Sequence, residues 1–439
     1  MMKSIAFSVS SIFLFALCAE TVFAQPAGKA IVDNACTTLV PQPVIDSINE
    51  YYTRYPACGG RRSHHWFASE VTRRINRSRE RLAEFVNAES GAEIIFTLNT
   101  TQAINMVALG LRFEPGEVVL ISGAEHNSNL LPWLRLQQKA GVRVEHLSAA
   151  ESEQFDLAAF EDRLRKSPVR LISLAWTSNV TGSTLPAKEI IAAAHRHGAL
   201  VLLDGAQTVP HQNVDVRALN VDFLAFSLHK MCGPRGVGVL YAKKEFINSP
   251  PGSPNALEPV ILGGGNAIDT SFENYQLLEG PERFEAGIPD YPGQIAAGAA
   301  VDYLQSVGME RIREWEENLN RYLSARMREQ YEQLGWLEIL GPKEPERRGG
   351  ILTFSVRRPN AVGIAEDLDR ASNIMIRDGV FCAHSYFNDR YGNTWLHPKT
   401  HRDHRMVYRV SFYFYNTPQE CELFLDALNA IFEERGYLE

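Results

Sequence analysis

Lys230 closes the stretch Ser227-Leu228-His229-Lys230, directly after the apolar run "FLAFS". A lysine amine at a strand end can bond covalently to a carbonyl carbon if neighbouring groups hold the partner molecule. Four other apolar runs end in polar residues of complementary kinds. "EIIFTL" leads into Asn99-Thr100-Thr101-Gln102, which opens a helix whose first amides and hydroxyls suit an anion such as phosphate. "EVVLIS" leads into Glu125-His126-Asn127, and the flat His126 ring can lie on an aromatic ligand. "LISLAW" leads into Thr177-Ser178-Asn179, and "ALVLLD" ends on Asp204, with Gln207 three residues on. Taken singly, each has a plain structural explanation: a strand-end Asp caps a turn, and a strand-end Lys is solvated.

Together they describe one ligand, pyridoxal 5'-phosphate. It needs a lysine for a Schiff base, an acid opposite its ring nitrogen, a flat group on its ring face and an anion site. Lys230, Asp204 and His126 match the first three needs. Thr100, Thr101, Ser227 and His229 match the last.

The elements that must position these residues are legible as alternating patterns. The runs at 117–122, 171–176, 199–204 and 223–227 are rich in Val, Ile and Leu, bounded by turn residues, and read as buried strands. Helical patterns lie between them, as in "PAKEIIAAAHRHG", with Pro186 suited to the first turn and Gly198 to the C-cap. This alternation predicts an α/β domain on a mainly parallel sheet, in which ligands sit at the C-terminal strand ends. From about residue 291 the pattern changes to helices, then "GGILTFSV", a helix over 364–371, "YRVSFYFYN" and a closing helix. Thr417, Pro418 and Glu420 start that last helix with a capping box. The expected organisation is a leader over 1–24, an N-terminal segment over 25–45, a large domain over 46–290 and a smaller α+β domain over 291–439.

At the cofactor segment, "DGAQTVPHQNVDVRALNVDFLAFSLHKMCGPRGVGVLYAKKE", the chain resembles class V aminotransferase-type enzymes. It is most similar to group II cysteine desulfurases of the SufS kind and to selenocysteine lyases. "NTTQAIN", "AEHNSNLLPW", "TSNVTG" and "RFEAGIP" carry the same resemblance, which spans about Ala30 to the C-terminus. The resemblance implies a type I fold, a homodimer with sites at the subunit interface, and a small amino acid as substrate. It makes Lys230 the Schiff-base lysine, Asp204 the partner of the ring nitrogen, Gln207 a donor to the ring hydroxyl and His126 the stacked ring. Asn179 and Arg409 would hold the substrate carboxylate.

The resemblance extends to "IRDGVFCAHSYF", where Arg377 and Cys382 fall on the Arg and nucleophilic Cys of a desulfurase motif. The implied reaction converts L-cysteine to L-alanine and leaves a persulfide on Cys382. A nearby cation such as Arg377 would favour the thiolate, and His65 falls near an active-site histidine of that family. The chain also departs from the pattern. His384 and Ser385 follow Cys382-Ala383 where a proline is usual, Ile288 replaces a threonine, and Asn99 replaces a glycine. Other class V reactions therefore stay open as alternatives: transamination, racemisation or epimerisation, and selenocysteine cleavage. So does a pyridoxal phosphate-binding protein without catalysis.

The rest of the 439-residue chain limits the partners. Net charge is −8 with a pI near 5.9 and no basic block, which argues against nucleic acid. The N-terminal "MMKSIAFSVSSIFLFALCAETVFAQ" reads as a secretory signal with cleavage after Ala24 and export, and no membrane association afterwards. If the signal is not used, the expected location is the cytoplasm. Five cysteines follow Cys18; Cys36 and Cys58 are a possible pair, and no zinc spacing is present. His397, His401, Asp403 and His404 lie in a polar loop without helical periodicity, read as solvated or as a lid rather than as a metal site. A sulfur acceptor would be a separate protein of unknown identity.

Overall fold

The computed structural model describes residues 30–148, 155–391 and 406–438. The leader and the His397–His404 loop lie outside the described residues. The chain divides into two units. One contains 43–176 and 185–307, and the other contains the N-terminal segment to Gln42, 177–184 and 308–439.

Strand β1 (Ala30–Ile31) belongs to the smaller unit. The larger unit is built on seven strands: β2 (Ile94–Thr97), β3 (Val118–Ile121), β4 (Arg143–His146), β5 (Val169–Ala175), β6 (Leu200–Asp204), β7 (Phe223–Ser227) and β8 (Gly238–Ala242). Their order is β2-β8-β7-β6-β5-β3-β4, parallel except for β8, which runs against both of its neighbours. β2, β3, β5, β6 and β7 therefore end on the same edge. The central strands are apolar at nearly every position because both faces are covered, so burial is continuous rather than alternating. Helix 100–110 contributes Ala103, Ile104, Met106 and Val107 to the same core as Ile95, Leu202, Phe223 and Leu240. The antiparallel β8 and the hairpin β9 (Ala267–Thr270) and β10 (Tyr275–Leu277) were not legible as separate strands in the sequence.

The expected domain boundary at 290/291 needs correction. Helix Tyr291–Val307 stays with the larger unit, packed on helix Trp66–Phe85. Gly298 permits the contact: a Cβ there would stand 3.1 Å from Ser78 Cα, and the Ser78 hydroxyl donates to Gln294 O at 2.5 Å. A helical pattern alone cannot say which core its apolar face covers.

The smaller unit holds β11 (Leu337–Ile339), β12 (Ile351–Val356), β13 (Ile374–Met375), β14 (Arg377–Asp378) and β15 (Met406–Ser411). β11, β12, β15 and β14 form an antiparallel sheet in that order, while β1 pairs in parallel with β13. Thr177–Thr184 joins this unit: Thr353 Oγ1 donates to the Val180 carbonyl, and Ser183 bridges to Arg348. The closing helix Pro418–Glu434 starts with the expected capping box of Thr417 and Glu420. Among the described residues, no helix is long and apolar enough to cross a membrane.

Candidate functional site

In the larger unit the strand ends gather most of the residues singled out in the sequence. β6 ends on Asp204, paired in register with Ala175 of β5 on one side and Ala225 of β7 on the other. Its carboxylate is buried and accepts one backbone hydrogen bond, from Ala206 N at 3.0 Å. Burial raises its pKa, opposed by that bond and by the Lys230 charge. A protonated ring nitrogen beside this acid would offset the cost of its burial. Gln207 is buried one short turn beyond it.

At the end of β7, Ser227 and Thr100 pair across two strands. Thr100 N donates to Ser227 Oγ at 2.8 Å, and the two hydroxyls lie 2.6 Å apart. Both are buried, so they brace the start of helix 100–110 from within. The open hydroxyl is that of Thr101, exposed and 2.7 Å from Ser128 Oγ. Asn99 caps the helix through Gln102 N at 3.0 Å, and among the described residues no hydrogen bond from the Thr101 amide is found. The cap sits against β8 only because residue 238 is glycine: a Cβ there would meet Asn99 Cα at 2.5 Å. The result is a helix N-terminus with a hydroxyl, backbone amides and a partial positive charge, a site fit for phosphate. His229 follows; burial, with the Lys230 and Arg235 charges, holds its pKa down to about 4. It is neutral at pH 7, and a neutral imidazole carries one N–H. Lys230 closes the 3-10 turn Leu228–Lys230, and Gly233 fits beneath it, where a Cβ would meet Leu228 O at 2.8 Å.

His126 caps the short turn after β3, its Nδ1 accepting from Ser128 N at 3.1 Å. Beneath it lies a residue the sequence did not single out. Glu125 is fully buried and accepts from Ser122 N and Oγ, from Asn129 Nδ2 at 2.6 Å and from Ala175 N at 2.9 Å. Asn129 is fixed in turn, since its Oδ1 accepts from Trp133 Nε1 and Ser173 Oγ. Burial pushes the Glu125 carboxyl up to about 7 against the pull of these donors. The network ties the His126 loop to the end of β5. Nothing local in "GAEHN" marks the acid as buried.

His65, expected near the chemistry, is the N-cap of helix Trp66–Phe85 and accepts from Ala68 N at 3.3 Å. That is a structural task on an exposed residue.

The smaller unit gathers the remaining residues around one buried guanidinium. Arg409 of β15 donates from Nη1 to Asn179 O at 2.9 Å and from Nη2 to Asp33 Oδ1 at 3.3 Å. Its Cζ lies 4.7 Å from the centre of the Phe381 ring. Among the described residues Arg409 Nε and Asn179 Oδ1 are buried with no hydrogen-bond partner; the Nε donor suits an incoming carboxylate, whereas the Oδ1 acceptor suits an N–H. Asn179 Nδ2 donates to Phe381 O at 2.8 Å. Phe381 and Cys382 have φ of +50° and +56°, two consecutive non-glycine residues in left-handed backbone. This arrangement costs about 1–2 kcal/mol per residue. The Asn179 and Arg409 contacts hold it and leave Cys382 exposed.

Arg377 is held by an acid from the N-terminal segment. It binds Asp33 Oδ2 through Nε at 3.0 Å and Nη2 at 2.7 Å, and this bond is the chief cause of its raised pKa. Asp33, which the sequence reading passed over, thus joins Arg377 to Arg409. Register also pairs Arg377 with Arg409 across β14 and β15. None of the five described cysteines, Cys36 and Cys58 among them, is in a disulfide.

Comparison with known proteins places the chain in a family. The aminotransferase class-V family model matches residues 30–424. The chain is 35% identical over 408 residues to a probable cysteine desulfurase of Streptomyces coelicolor, covering 91% of each chain. It is 36% identical over 404 residues to a probable cysteine desulfurase of Pyrococcus abyssi, covering 91% of this chain and 93% of the relative. The apo structure of a cysteine desulfurase from Thermococcus onnurineus superimposes with a TM-score of 0.84 at 32% identity, covering 96% of this chain and 98% of that one. With a family match across nearly the whole described chain and a parallel-sheet unit that ends in these residues, this protein belongs to the class V aminotransferase family.

Proposed function

We propose that this protein is a pyridoxal phosphate-dependent cysteine desulfurase, which converts L-cysteine to L-alanine and leaves a persulfide on Cys382. The observation that carries the cofactor reading is the convergence of Asp204, the Thr101 helix N-terminus, His126 and Lys230 at neighbouring strand ends. Thr101, with the amide beside it, and the neutral His229 would hold the phosphate, with Ser227 and Thr100 bracing them. Asp204 would face the ring nitrogen, Gln207 the ring hydroxyl, His126 the ring face, and Lys230 would supply the attachment point. The bound cofactor supplies an electron sink for the pair left when the α-carbon loses its proton.

The chain's own residues do the rest. Arg409 offers a rigid fork to the substrate carboxylate, with Nε still open, and the Asn179 carbonyl holds its Nη1 in place. The amine of Lys230 moves the proton at the α-carbon. The Cys382 thiolate attacks the substrate sulfur, the C–S bond breaks, and that sulfur stays on Cys382. The left-handed turn at 381–382 presents this thiol outward.

The same reading includes a homodimer and export. The segment 260–288 supports the dimer, since it leaves Ile261, Leu262, Ile268, Phe272, Tyr275 and Ile288 exposed. Such apolar surface marks an interface. The apolar run before Ala24 supports export.

The test is to give purified protein L-cysteine with a reductant and measure alanine and sulfide. Both should form, and Cys382→Ala should abolish them. Lys230→Ala should lose the characteristic absorbance of lysine-bound pyridoxal phosphate. Alanine formation that survives Cys382→Ala sinks the persulfide. Bound cofactor with no alanine turns the reading to another class V reaction.

A further inference from the structure

We infer that Ser128 is a positioning residue that couples two parts of the cofactor site, the anion-holding start of helix 100–110 and the His126 ring. The inference rests on the placement of the phosphate at Thr101 and of the cofactor ring against His126 proposed above. The Ser128 hydroxyl stands between the two. Its Oγ lies 2.7 Å from Thr101 Oγ1 and 3.0 Å from His126 Nδ1. Four strands separate β2 from β3 in the sheet, so the meeting is made by the segments beyond the strand ends. The Ser128 backbone is held from below. Asn129 N donates to His126 O at 2.8 Å, and the Asn129 side chain is tied to Glu125, Trp133 and Ser173. With the backbone fixed, the main freedom of the hydroxyl is the direction of its hydrogen.

The donors decide where the hydrogens lie. Ser128 N also donates to His126 Nδ1, at 3.1 Å. An amide only donates, so Nδ1 is the acceptor nitrogen and the neutral ring carries its hydrogen on Nε2. Nδ1 then has no hydrogen to offer Ser128, and the serine has one to give. In one arrangement that hydrogen points to His126 Nδ1, and the Thr101 hydroxyl donates to Ser128 Oγ. In the other it points to Thr101 Oγ1, and the Thr101 hydrogen turns outward. A phosphate oxygen beside Thr101 needs a donor, so bound phosphate selects the second arrangement. The same turn removes one of the two Ser128 contacts at His126 Nδ1. No bond within either residue breaks; each hydroxyl only redirects its hydrogen. Ser128 thus carries phosphate occupancy to the ring that lies on the cofactor, and by linkage the state of the ring alters the hold on phosphate.

The test uses apoprotein and needs no turnover. Absorbance titration gives the affinity for pyridoxal 5'-phosphate and for pyridoxal, which lacks the phosphate. Ser128→Ala should weaken binding of pyridoxal 5'-phosphate by about three- to tenfold, the worth of one hydrogen bond, and leave pyridoxal unchanged. Ser128→Thr keeps the hydroxyl and should bind both as wild type does. Wild-type affinity in Ser128→Ala overturns the inference. So does an equal loss for both ligands, which marks a general disturbance, or a loss in Ser128→Thr as large as in Ser128→Ala. Thr101→Val should also weaken pyridoxal 5'-phosphate. If it does not, the phosphate placement fails and the inference with it; loss in Thr101→Val without loss in Ser128→Ala overturns the inference alone.

Nitrogen-15 spectra of the histidines in the apoprotein give a second readout, with the His126 signals identified by their absence in His126→Gln. The wild type should show Nε2 protonated, and inorganic phosphate should shift the Nδ1 signal. That shift should be absent in Ser128→Ala. A hydrogen on Nδ1, or an equal shift in Ser128→Ala, overturns the inference.

Discussion

Replacing Arg409 by lysine keeps the charge and removes the fork. The guanidinium makes three separate contacts: Nη1 to Asn179 O, Nη2 to Asp33 Oδ1 and its face to the Phe381 ring at 4.7 Å. A buried Nε is left for substrate. One ammonium on a flexible stem cannot serve all four. The substitution gives up at least one charge-assisted hydrogen bond, worth about 1.5–3 kcal/mol. It also gives up most of the cation–ring contact, worth about 0.5–1 kcal/mol. The sum of about 2–4 kcal/mol corresponds to a fall in kcat/KM for L-cysteine of about 30- to 700-fold. Because the carboxylate is held in ground and transition states alike, much of the loss should fall on KM. The assay is the initial rate of alanine formation against cysteine concentration. The urea midpoint and the cofactor absorbance of the variant serve as checks that the fold and the larger unit are intact. A correctly folded variant whose kcat/KM stays within about threefold of wild type would refute the assignment of Arg409 to the carboxylate.

Asp33→Asn should release both arginines, since a neutral amide cannot neutralise two guanidinium groups. The expected result is a fall of about tenfold in kcat/KM, carried by KM, and unchanged kinetics would remove Asp33 from the site. Gly238→Ala should push the Asn99 cap off β8, because its Cβ would meet Asn99 Cα at 2.5 Å. At an overpacking cost of about 1–3 kcal/mol, cofactor affinity measured by absorbance titration of the apoprotein should drop by about tenfold or more. Wild-type affinity would refute the cradle. Glu125 gives a pH signature. Its carboxyl stands at about 7 in the folded chain against an ordinary 4.5, so between these values the folded chain holds a proton that the unfolded chain has lost. Its contribution is full below 4.5 and fades as pH rises through 7, by about 3 kcal/mol in all. Urea unfolding should therefore show the advantage of wild type over Glu125→Gln shrinking by that order from pH 4.5 to pH 8. A difference independent of pH would mean that Glu125 is ionised throughout.

Much of the larger unit was legible because its signals are local. "FLAFS" ends on Ser227 as read, and the other runs shift by a residue or two at their ends. Apolar strands covered on both faces announce themselves by composition, and the polar residue where each stops marks the ligand edge. Helix Tyr291–Val307 was legible as a helix but went to the wrong domain, because amphipathic spacing names a face and not its partner. Thr177–Thr184 shows the same limit: it follows β5 in the chain yet folds with the smaller unit through Val180 and Ser183.

By itself the sequence determined which residue types stand at the strand ends: Lys230, Asp204, His126 and the Asn99–Thr101 helix start. It did so because strand, turn and helix cap are chosen by residues close together in the chain. The tertiary structure alone decided which polar groups are buried and what they face. It placed Glu125 under the His126 loop, turned Thr100 inward onto Ser227 and left Thr101 open. It also set Asp33 between Arg377 and Arg409, across more than 300 residues of chain. Burial and long-range pairing depend on the whole packed core, and a carboxylate looks the same in the sequence whether it ends in water or between two arginines.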